Sequence, residues 1–365
     1  MKNKPKMCFV SETLHSYFGS GVESDVGGAE RQQYQLIQKL TDDQIPVIIV
    51  TSNYNTINHA EGVEFINVIP DVRGVKFAPY KAVRIIQGLR KANAEIYFVR
   101  GNDFLAFITG LYTHFSDKNY IYHVANDEDI APKESGLFKY GFIWSLGNAD
   151  KVFTQTKYQQ TTLQDAFNIS STIIPNGYHI PLDTPRSYQD REHFLWVGSM
   201  DPQQKVPMRV LRVAENNPNL KFVVIGPPDR DFPDHFDYIK TKSEKLENVD
   251  FLGFVPPQEI HEYYKNAIAL ICTSDFEGFP NVFLEAWRYG TPVISYNIDV
   301  DRSLEREIAG KLGASIAEID HHVRDLATDV DKRQELGREA FKHFRENYSI
   351  DKVYGKFKRE LGDLN

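Results

Sequence analysis

The residues best placed to do chemistry lie in one window, Ser274-Asp275-Phe276-Glu277-Gly278-Phe279-Pro280-Asn281-Val282-Phe283-Leu284-Glu285-Ala286-Trp287-Arg288-Tyr289-Gly290, set between the apolar runs Ala269-Leu270-Ile271-Cys272 and Pro292-Val293-Ile294. Pro280 suits the first turn of a helix, where a missing N–H is no loss and φ is already helical. Gly290 suits the position just past the helix end. Glu277 then precedes the helix, and Glu285 lies about 7.5 Å along its axis. Two carboxylates so spaced can accept hydrogen bonds from hydroxyls on two sugars of one ligand. The helix mouth between them offers N–H donors and positive potential to a diphosphate. Without that setting, Glu277 would do no more than oppose the helix dipole and Glu285 would be a solvated face.

Three further features carry polar chemistry. Asp25-Val26-Gly27-Gly28-Ala29-Glu30-Arg31 places a glycine pair at the opening of a long helix, where backbone can approach a ligand closely. It is not a G-x-G-x-x-G turn, and the following strand closes on Val50-Thr51-Ser52 without an acidic residue, so a dinucleotide site is a poor reading. His123 ends the run Tyr120-Ile121-Tyr122-His123-Val124; it is either a group at the mouth of a site or a packing histidine. Asp127, Glu128 and Asp129 follow it, but consecutive residues point apart, which favours a helix cap or a loop beside the acceptor over a metal site.

These residues need a frame, and the pattern supplies one. Apolar runs near residues 6–10, 45–51, 94–99, 119–124, 150–154 and 171–174 read as strands. Helical periodicity fills 28–40, 76–91, 103–114, 133–146 and 156–167. Pro175 to Glu192 has no periodicity and reads as a linker. Strands near 193–198, 220–226, 249–254, 268–273 and 291–296 then alternate with helices near 206–216, 235–246, 257–266 and 280–289, and a charged helical segment fills about 320–362. Such alternation implies βαβ units with parallel sheets and right-handed crossovers. The expected fold is α/β, two doubly wound domains facing across a cleft, with ligands beyond the carboxyl ends of the strands.

With Glu277-x7-Glu285 as its sharpest element, the sequence resembles the retaining glycosyltransferases of family 4, of the two-Rossmann GT-B architecture, over nearly its whole length. The resemblance implies that Glu277 contacts donor-sugar hydroxyls and Glu285 the ribose of the nucleotide. Gly278, Phe279, Asn281 and Val282 would lend main-chain N–H donors to the sugar and phosphate, and Pro280, which has no N–H, would shape the same donor-binding stretch. In Trp196-Val197-Gly198-Ser199-Met200-Asp201-Pro202-Gln203-Gln204-Lys205, Lys205 matches the family's lysine on the diphosphate. Ser199 stands where the family has arginine, so Arg100, Arg31 or Arg209 would have to supply that charge. The Gly27-Gly28 loop would touch donor phosphate or acceptor, and His123 would lie near the donor sugar. Ile173-Ile174-Pro175-Asn176-Gly177 is similar to the family's hinge. Gly253-Phe254-Val255-Pro256 is similar to the loop framing the base, with Val255 in its centre. The implied domains are 1–178 on the acceptor side, 179–345 for the nucleotide sugar, and 346–365 as a helix packing back on the first. A nucleotide-diphosphate sugar would be the co-substrate, with no metal and no other cofactor, and the acceptor would be a glycan, lipid-linked or small molecule.

Composition narrows the alternatives. With 365 residues, Lys+Arg 42 against Asp+Glu 50 and a net charge of −8, the chain suits two domains and lacks the basic surface of a nucleic-acid binder. Cys8 and Cys272 sit singly in apolar runs, too few for a disulfide framework. No run approaches the ~18 apolar residues of a membrane span, and no export signal is evident, so a cytoplasmic setting is expected. Arg73 to Lys91 combines six basic residues with apolar ones; it reads first as a surface helix and leaves peripheral membrane contact open. A nucleotide-sugar epimerase, a two-lobed solute-binding protein, or a non-catalytic relative that binds the sugar nucleotide are the competing readings.

Overall fold

The computed structural model describes residues 4–18, 27–53, 57, 59–60, 62–72, 74–131, 137–182, 187–256 and 258–364. Asp25, Val26 and Arg73 of the motifs above, and residues 132–136 at the start of one expected helix, lie outside them. The chain forms two compact units, one of Met1–Asn176 with Val353–Asn365 and one of Gly177–Lys352. Each is a Rossmann-like α/β unit around a mainly or wholly parallel sheet.

In the first unit, β1 (Met7–Val10), β2 (Val47–Ser52), β3 (His59–Ala60), β4 (Val63–Ile69), β5 (Ile96–Arg100), β6 (Asn119–His123), β7 (Lys151–Thr154) and β8 (Thr172–Ile173) form one sheet. Its order is β3-β4-β2-β1-β5-β6-β7-β8, parallel except for the β3–β4 pair. The run Val47-Ile48-Ile49-Val50 is buried on both faces, as a strand flanked by helices must be. Helices α1 (Gly28–Asp42), α2 (Ala78–Ala92), α3 (Asp103–Ser116), α4 (Asp127–Ile130), α5 (Leu137–Gly147) and α6 (Lys157–Phe167) connect the strands. Apolar clusters fill both faces of the sheet.

β3 and β4 were not evident from sequence. In Val63-Glu64-Phe65-Ile66-Asn67-Val68-Ile69 two polar residues interrupt the apolar run, because β4 lies near the sheet edge and turns Glu64 to solvent. Helix α2 lays Ile85, Gly88 and Leu89 on the sheet and leaves Tyr80 and Val83 outward. Asn126 caps α4, and Asp129 Oδ2 accepts from the Ala125 and Asn126 N–H groups at 2.9 and 3.0 Å. The acidic run is thus a helix cap.

The second unit holds β9 (His193–Val197), β10 (Lys221–Ile225), β11 (Val249–Gly253), β12 (Ala267–Cys272), β13 (Val293–Tyr296) and β14 (Gly310–Gly313), with α7 (Met208–Asn216), α8 (Pro233–Ser243), α9 (Ile260–Asn266) and α10 (Asn281–Trp287) between them. The order is β11-β10-β9-β12-β13-β14, all parallel. β14 was also missed, since Gly-Lys-Leu-Gly has little strand propensity. The charged tail is three helices, α11 (Ile316–Thr328), α12 (Val330–Asn347) and α13 (Ile350–Gly362). From Val353 onward α13 belongs to the first unit, where Val353, Tyr354, Phe357 and Leu361 join the core around Phe98 and Phe153.

The aperiodic stretch after Pro175 is not a loose linker. Tyr178 is buried, its N–H donates to Tyr348 O at 3.0 Å, and its carbonyl accepts from Ile350 N at 2.8 Å. Farther on, buried Arg191 donates to the Ala267 and Tyr289 carbonyls and to Thr291 Oγ1 at 2.8–3.0 Å. These contacts lie far apart in sequence and leave no periodicity. Among the described residues no helix is long and apolar enough to cross a membrane.

His193, at the start of β9, offers a test of this packing. Burial pushes its imidazole down to about 4, so the folded unit holds it neutral. The unfolded chain takes up that proton near pH 6.5. The stabilisation is therefore complete above that pH and is lost on acidification, by about 1.4 kcal/mol per unit for this one group until its folded value is reached. Urea unfolding between pH 7 and 5 should show a shallower decline for His193→Gln than for wild type by about that slope.

Candidate active site

Strand order in the second unit reverses at β9, with β10 on one side and β12 on the other. The two loops leaving the carboxyl ends of β9 and β12 therefore stand side by side, and the predicted residues lie on them. After β9 the chain runs Gly198, Ser199, Met200, Asp201. Asp201 Oδ1 accepts from the Gln203 and Gln204 N–H groups at 2.7 and 2.9 Å and turns the loop back toward Lys205. Val206 follows at φ 47, a left-handed conformation that a β-branched residue enters only under strain.

Strain of this kind persists where surrounding contacts over-determine it, and here they do. The Thr273 hydroxyl donates to Lys205 O at 2.7 Å, Asp275 N donates to Gln204 O at 2.9 Å, and Gln204 Nε2 donates to Phe276 O at 3.3 Å. Thr273 Oγ1 also accepts from Trp196 Nε1 at 2.8 Å, which ties the loop to β9 itself. On this platform Lys205 Nζ donates to Glu277 Oε1, which also accepts from Ser274 Oγ at 2.8 Å. The lysine side chain is 25% exposed and the glutamate 9%. An ammonium has three donors and an ionised carboxylate about four acceptor positions, so the pair retains capacity for a ligand. Glu277 Oε2 has no hydrogen-bond partner among the described residues.

Close backbone approach fixes the loop from its other side. A Cβ on Gly226, after β10, would stand 1.6 Å from Gly198 O, so any side chain there would displace the strand-to-loop turn. Ser199 Oγ donates to Asp229 Oδ2 at 3.0 Å. Of the three arginines considered for the missing charge, Arg209 is the one in this cluster. It donates to Thr273 O and Asp275 Oδ1 at 2.9 and 2.5 Å and lies 4.0 Å over the Tyr296 ring. Arg100 is buried in the first unit, donating to Gln155 Oε1 and Asn176 Oδ1 at 3.1 and 2.5 Å, and Arg31 is on α1 of that unit.

Glu277 leads through Gly278 and Phe279 into α10. Pro280 is the N-cap, with extended backbone at φ −70 and ψ 106, one residue ahead of the expected first turn. The helix is Asn281–Trp287, shorter than the sequence suggests, and Gly290 at φ +64 reverses the chain after it. Glu285 is only 8% exposed. Its Oε1 accepts from Tyr178 OH at 3.0 Å and its Oε2 from Tyr264 OH at 2.7 Å, so it is a buried, hydrogen-bonded carboxylate rather than a solvated face. Val255 and Val282 pack against the same apolar cluster as Phe279 and Phe283.

The remaining predicted residues belong to the first unit. Gly27 and Gly28 open α1, with Gly27 O accepting from Arg31 N at 3.3 Å. His123 is buried at the end of β6, edge-on to Phe98 and Phe153. Its Nε2 lies 3.0 Å from Ile174 O, an acceptor only, so Nε2 carries the proton. Burial first, and the Arg100 charge second, hold the ring neutral with a pKa well below the ordinary histidine value. This is the geometry of a packing histidine. Among the described residues no cluster of His, Cys, Asp and Glu could hold a metal ion.

The sequence reading missed Thr273, Ser274, Tyr178 and Tyr264. Ser274 lies only three residues before Glu277. The tyrosines reach Glu285 from 107 and 21 residues away, and nothing local marks them.

Two Rossmann-like α/β units with mainly or wholly parallel sheets are those of the GT-B fold class, and comparison with known proteins agrees. Residues 26–180 match the Glycosyltransferase Family 4 model and residues 183–343 the Glycosyl transferases group 1 model, together most of the chain. The chain belongs to the family-4-like glycosyltransferases with the GT-B fold.

Among curated relatives it is 26% identical over 284 residues to alpha-monoglucosyldiacylglycerol synthase of Streptococcus pneumoniae, covering 68% of this chain and 62% of that one. It is 24% identical over 152 residues to spore coat protein SA of Bacillus subtilis, covering 39% and 40%. The chain thus spans about half the length of the curated relatives it matches. Its fold is shared with sucrose-phosphate synthase of Thermosynechococcus elongatus, at a TM-score of 0.80 and 15% identity over 99% of this chain and 100% of that one. It is shared also with Anabaena HepE, solved in complex with UDP-glucose, at a TM-score of 0.77 and 15% identity over 98% of this chain and 100% of that one.

The two tyrosines give the site a direct test. Tyr264→Phe removes a donor from a buried carboxylate and should lower stability by about 1–3 kcal/mol in urea unfolding. Tyr264→His, which can still donate, should recover part of that loss.

Proposed function

We propose that the chain transfers a sugar from a nucleoside-diphosphate donor to an acceptor hydroxyl with retention of anomeric configuration. The contact of Lys205 with Glu277, on loops stitched together at the β9–β12 reversal, carries this reading. The family match and a structural relative solved with UDP-glucose support it. Lys205 and Arg209 bind the leaving diphosphate, with the Ser199 hydroxyl where a second arginine would be expected. Main-chain N–H donors of Gly278, Phe279, Asn281 and Val282 complete the cradle. Glu277 accepts from donor-sugar hydroxyls through Oε2, and Glu285, pre-oriented by Tyr178 and Tyr264, takes the ribose hydroxyls with its remaining lone pairs. Val255 lies beside the base.

In the step itself the acceptor oxygen bonds to the anomeric carbon on the face the diphosphate leaves. The C–O bond to the diphosphate breaks, and the acceptor proton passes to a leaving phosphate oxygen. No protein nucleophile and no metal enters the scheme; catalysis is stabilisation of charge on the leaving group. His123 is not an acid or base here: it is neutral, and its Nε2 proton is committed to Ile174 O. It holds in place the segment that leads to the second unit.

A thermal-shift screen against UDP-, GDP- and ADP-sugars identifies the donor, since a ligand bound by the folded state raises the melting temperature. With that donor, Lys205→Ala and Glu277→Ala should each lower transfer about a hundredfold or more with the fold intact. Wild-type turnover by folded Lys205→Ala would refute its role. Conversion of the donor to an epimer with no acceptor present would instead mark an epimerase. An inverted anomeric coupling in the product would overturn retention.

A further inference from the structure

The chain passes between its two units twice, after Asn176 and after Lys352. Within the second unit, the residues next to those passages are joined to each other. Tyr178 pairs with Ser349 as an isolated parallel bridge. The Tyr178 N–H donates to Tyr348 O at 3.0 Å, and the Ile350 N–H donates to Tyr178 O at 2.8 Å. Tyr178, Tyr348 and Ile350 are all buried, so these two amide bonds form a clasp shielded from water.

Both sides of the clasp reach the donor loop and its helix. The Tyr178 hydroxyl donates to Glu285 Oε1 at 3.0 Å, and its ring lies 5.6 Å from the Arg288 guanidinium, just past the end of α10. The Tyr348 ring packs edge-on to Phe279, in the stretch between Glu277 and α10, with centroids 5.4 Å apart. It also lies 5.9 Å from the Trp287 ring. Tyr264 holds the other oxygen of Glu285 at 2.7 Å, but from α9, outside the clasp.

A carboxylate is planar and turns as one body, so a ligand that fixes the plane of Glu285 also fixes where Oε1 lies. The phenol on that oxygen is stiff, with two side-chain torsions and close-packed neighbours. A displacement at Glu285 therefore meets no flexible side chain that could absorb it before the Tyr178 backbone.

We infer that Tyr178 is a positioning residue that couples ribose binding at Glu285 to the clasp beside the two chain passages. It touches no substrate and acts through Glu285. Ribose hydroxyls that lock Glu285 hold the clasp shut, and a closed clasp holds Glu285 ready for them, since coupling of this kind is reciprocal. The coupling rests on the ribose role proposed above for Glu285.

Hydrogen exchange of the full chain, read at the Tyr178 and Ile350 amides, tests it with UDP, GDP and ADP as ligands. The best-binding diphosphate, at about ten times its Kd, should slow both amides about tenfold, because opening the clasp then forfeits binding. Core amides of β10 report binding itself and should slow in every case. Each variant is measured at the same multiple of its own Kd. In Tyr178→Phe the clasp amides should lose their slowing while the β10 amides keep theirs. Tyr264→Phe removes a like bond from the same carboxylate and should leave the clasp response in place. The 2′,3′-dideoxy form of the ligand, which lacks the ribose hydroxyls, should slow the β10 amides of wild type and not the clasp. Clasp amides slowed as much in Tyr178→Phe as in wild type, or as much by the dideoxy ligand, overturn the coupling. Binding with no change at the clasp sinks the coupling alone. If none of the three diphosphates binds, the donor-site reading fails first and the coupling falls with it.

Discussion

Reversal of strand order is the constraint on which the rest of the structure depends. In a parallel sheet each crossover helix covers one face, and loops at the carboxyl ends are drawn over the strand tops. Where order reverses, helices depart to opposite faces and two neighbouring loops are left facing a crevice. In the second unit that place lies between β9 and β12, and the lysine and glutamate loops meet there. Beneath their contact the two loops are joined by hydrogen bonds to main-chain carbonyls, donated by Thr273 Oγ1, Asp275 N and Gln204 Nε2. A pair presented by a rigid, locally strained platform is pre-organised for a charged ligand, because little side-chain freedom remains to be lost on binding.

The same logic distributes roles among the carboxylates. Glu277 shares one oxygen between Lys205 and Ser274, and its other oxygen has no hydrogen-bond partner among the described residues. Glu285 is buried and gripped by two phenol hydroxyls. A carboxylate with a phenol donor on each oxygen is fixed in orientation. Eight residues apart in sequence and similarly buried, the two groups differ in their partners.

Much of this was legible before any coordinates. Both-face-buried strands such as Val47-Ile48-Ile49-Val50 announce a parallel sheet by their unbroken apolar runs. Glu277 and Glu285 stood out by spacing and context and Lys205 by resemblance to the family, and the structure brings Lys205 and Glu277 into contact. What escaped lay where the signal is not local. β4 hid because a position near the sheet edge lets polar residues into the strand, and β14 hid behind two glycines and a lysine. The stretch after Pro175 looked like a linker because Tyr178 and Arg191 pack through long-range contacts without period. The tyrosines on Glu285 and the Glu12–Lys81 pair, 69 residues apart, exist only once the sheet is assembled.

The central claim is that Lys205 and Glu277 grip a diphosphate sugar together. A crystal structure with the best-binding nucleotide sugar tests it most directly. The account predicts a phosphate oxygen within about 3 Å of Lys205 Nζ and a donor-sugar hydroxyl at a similar distance from Glu277 Oε2. A nucleotide sugar ordered elsewhere, with the lysine–glutamate contact untouched, would contradict it.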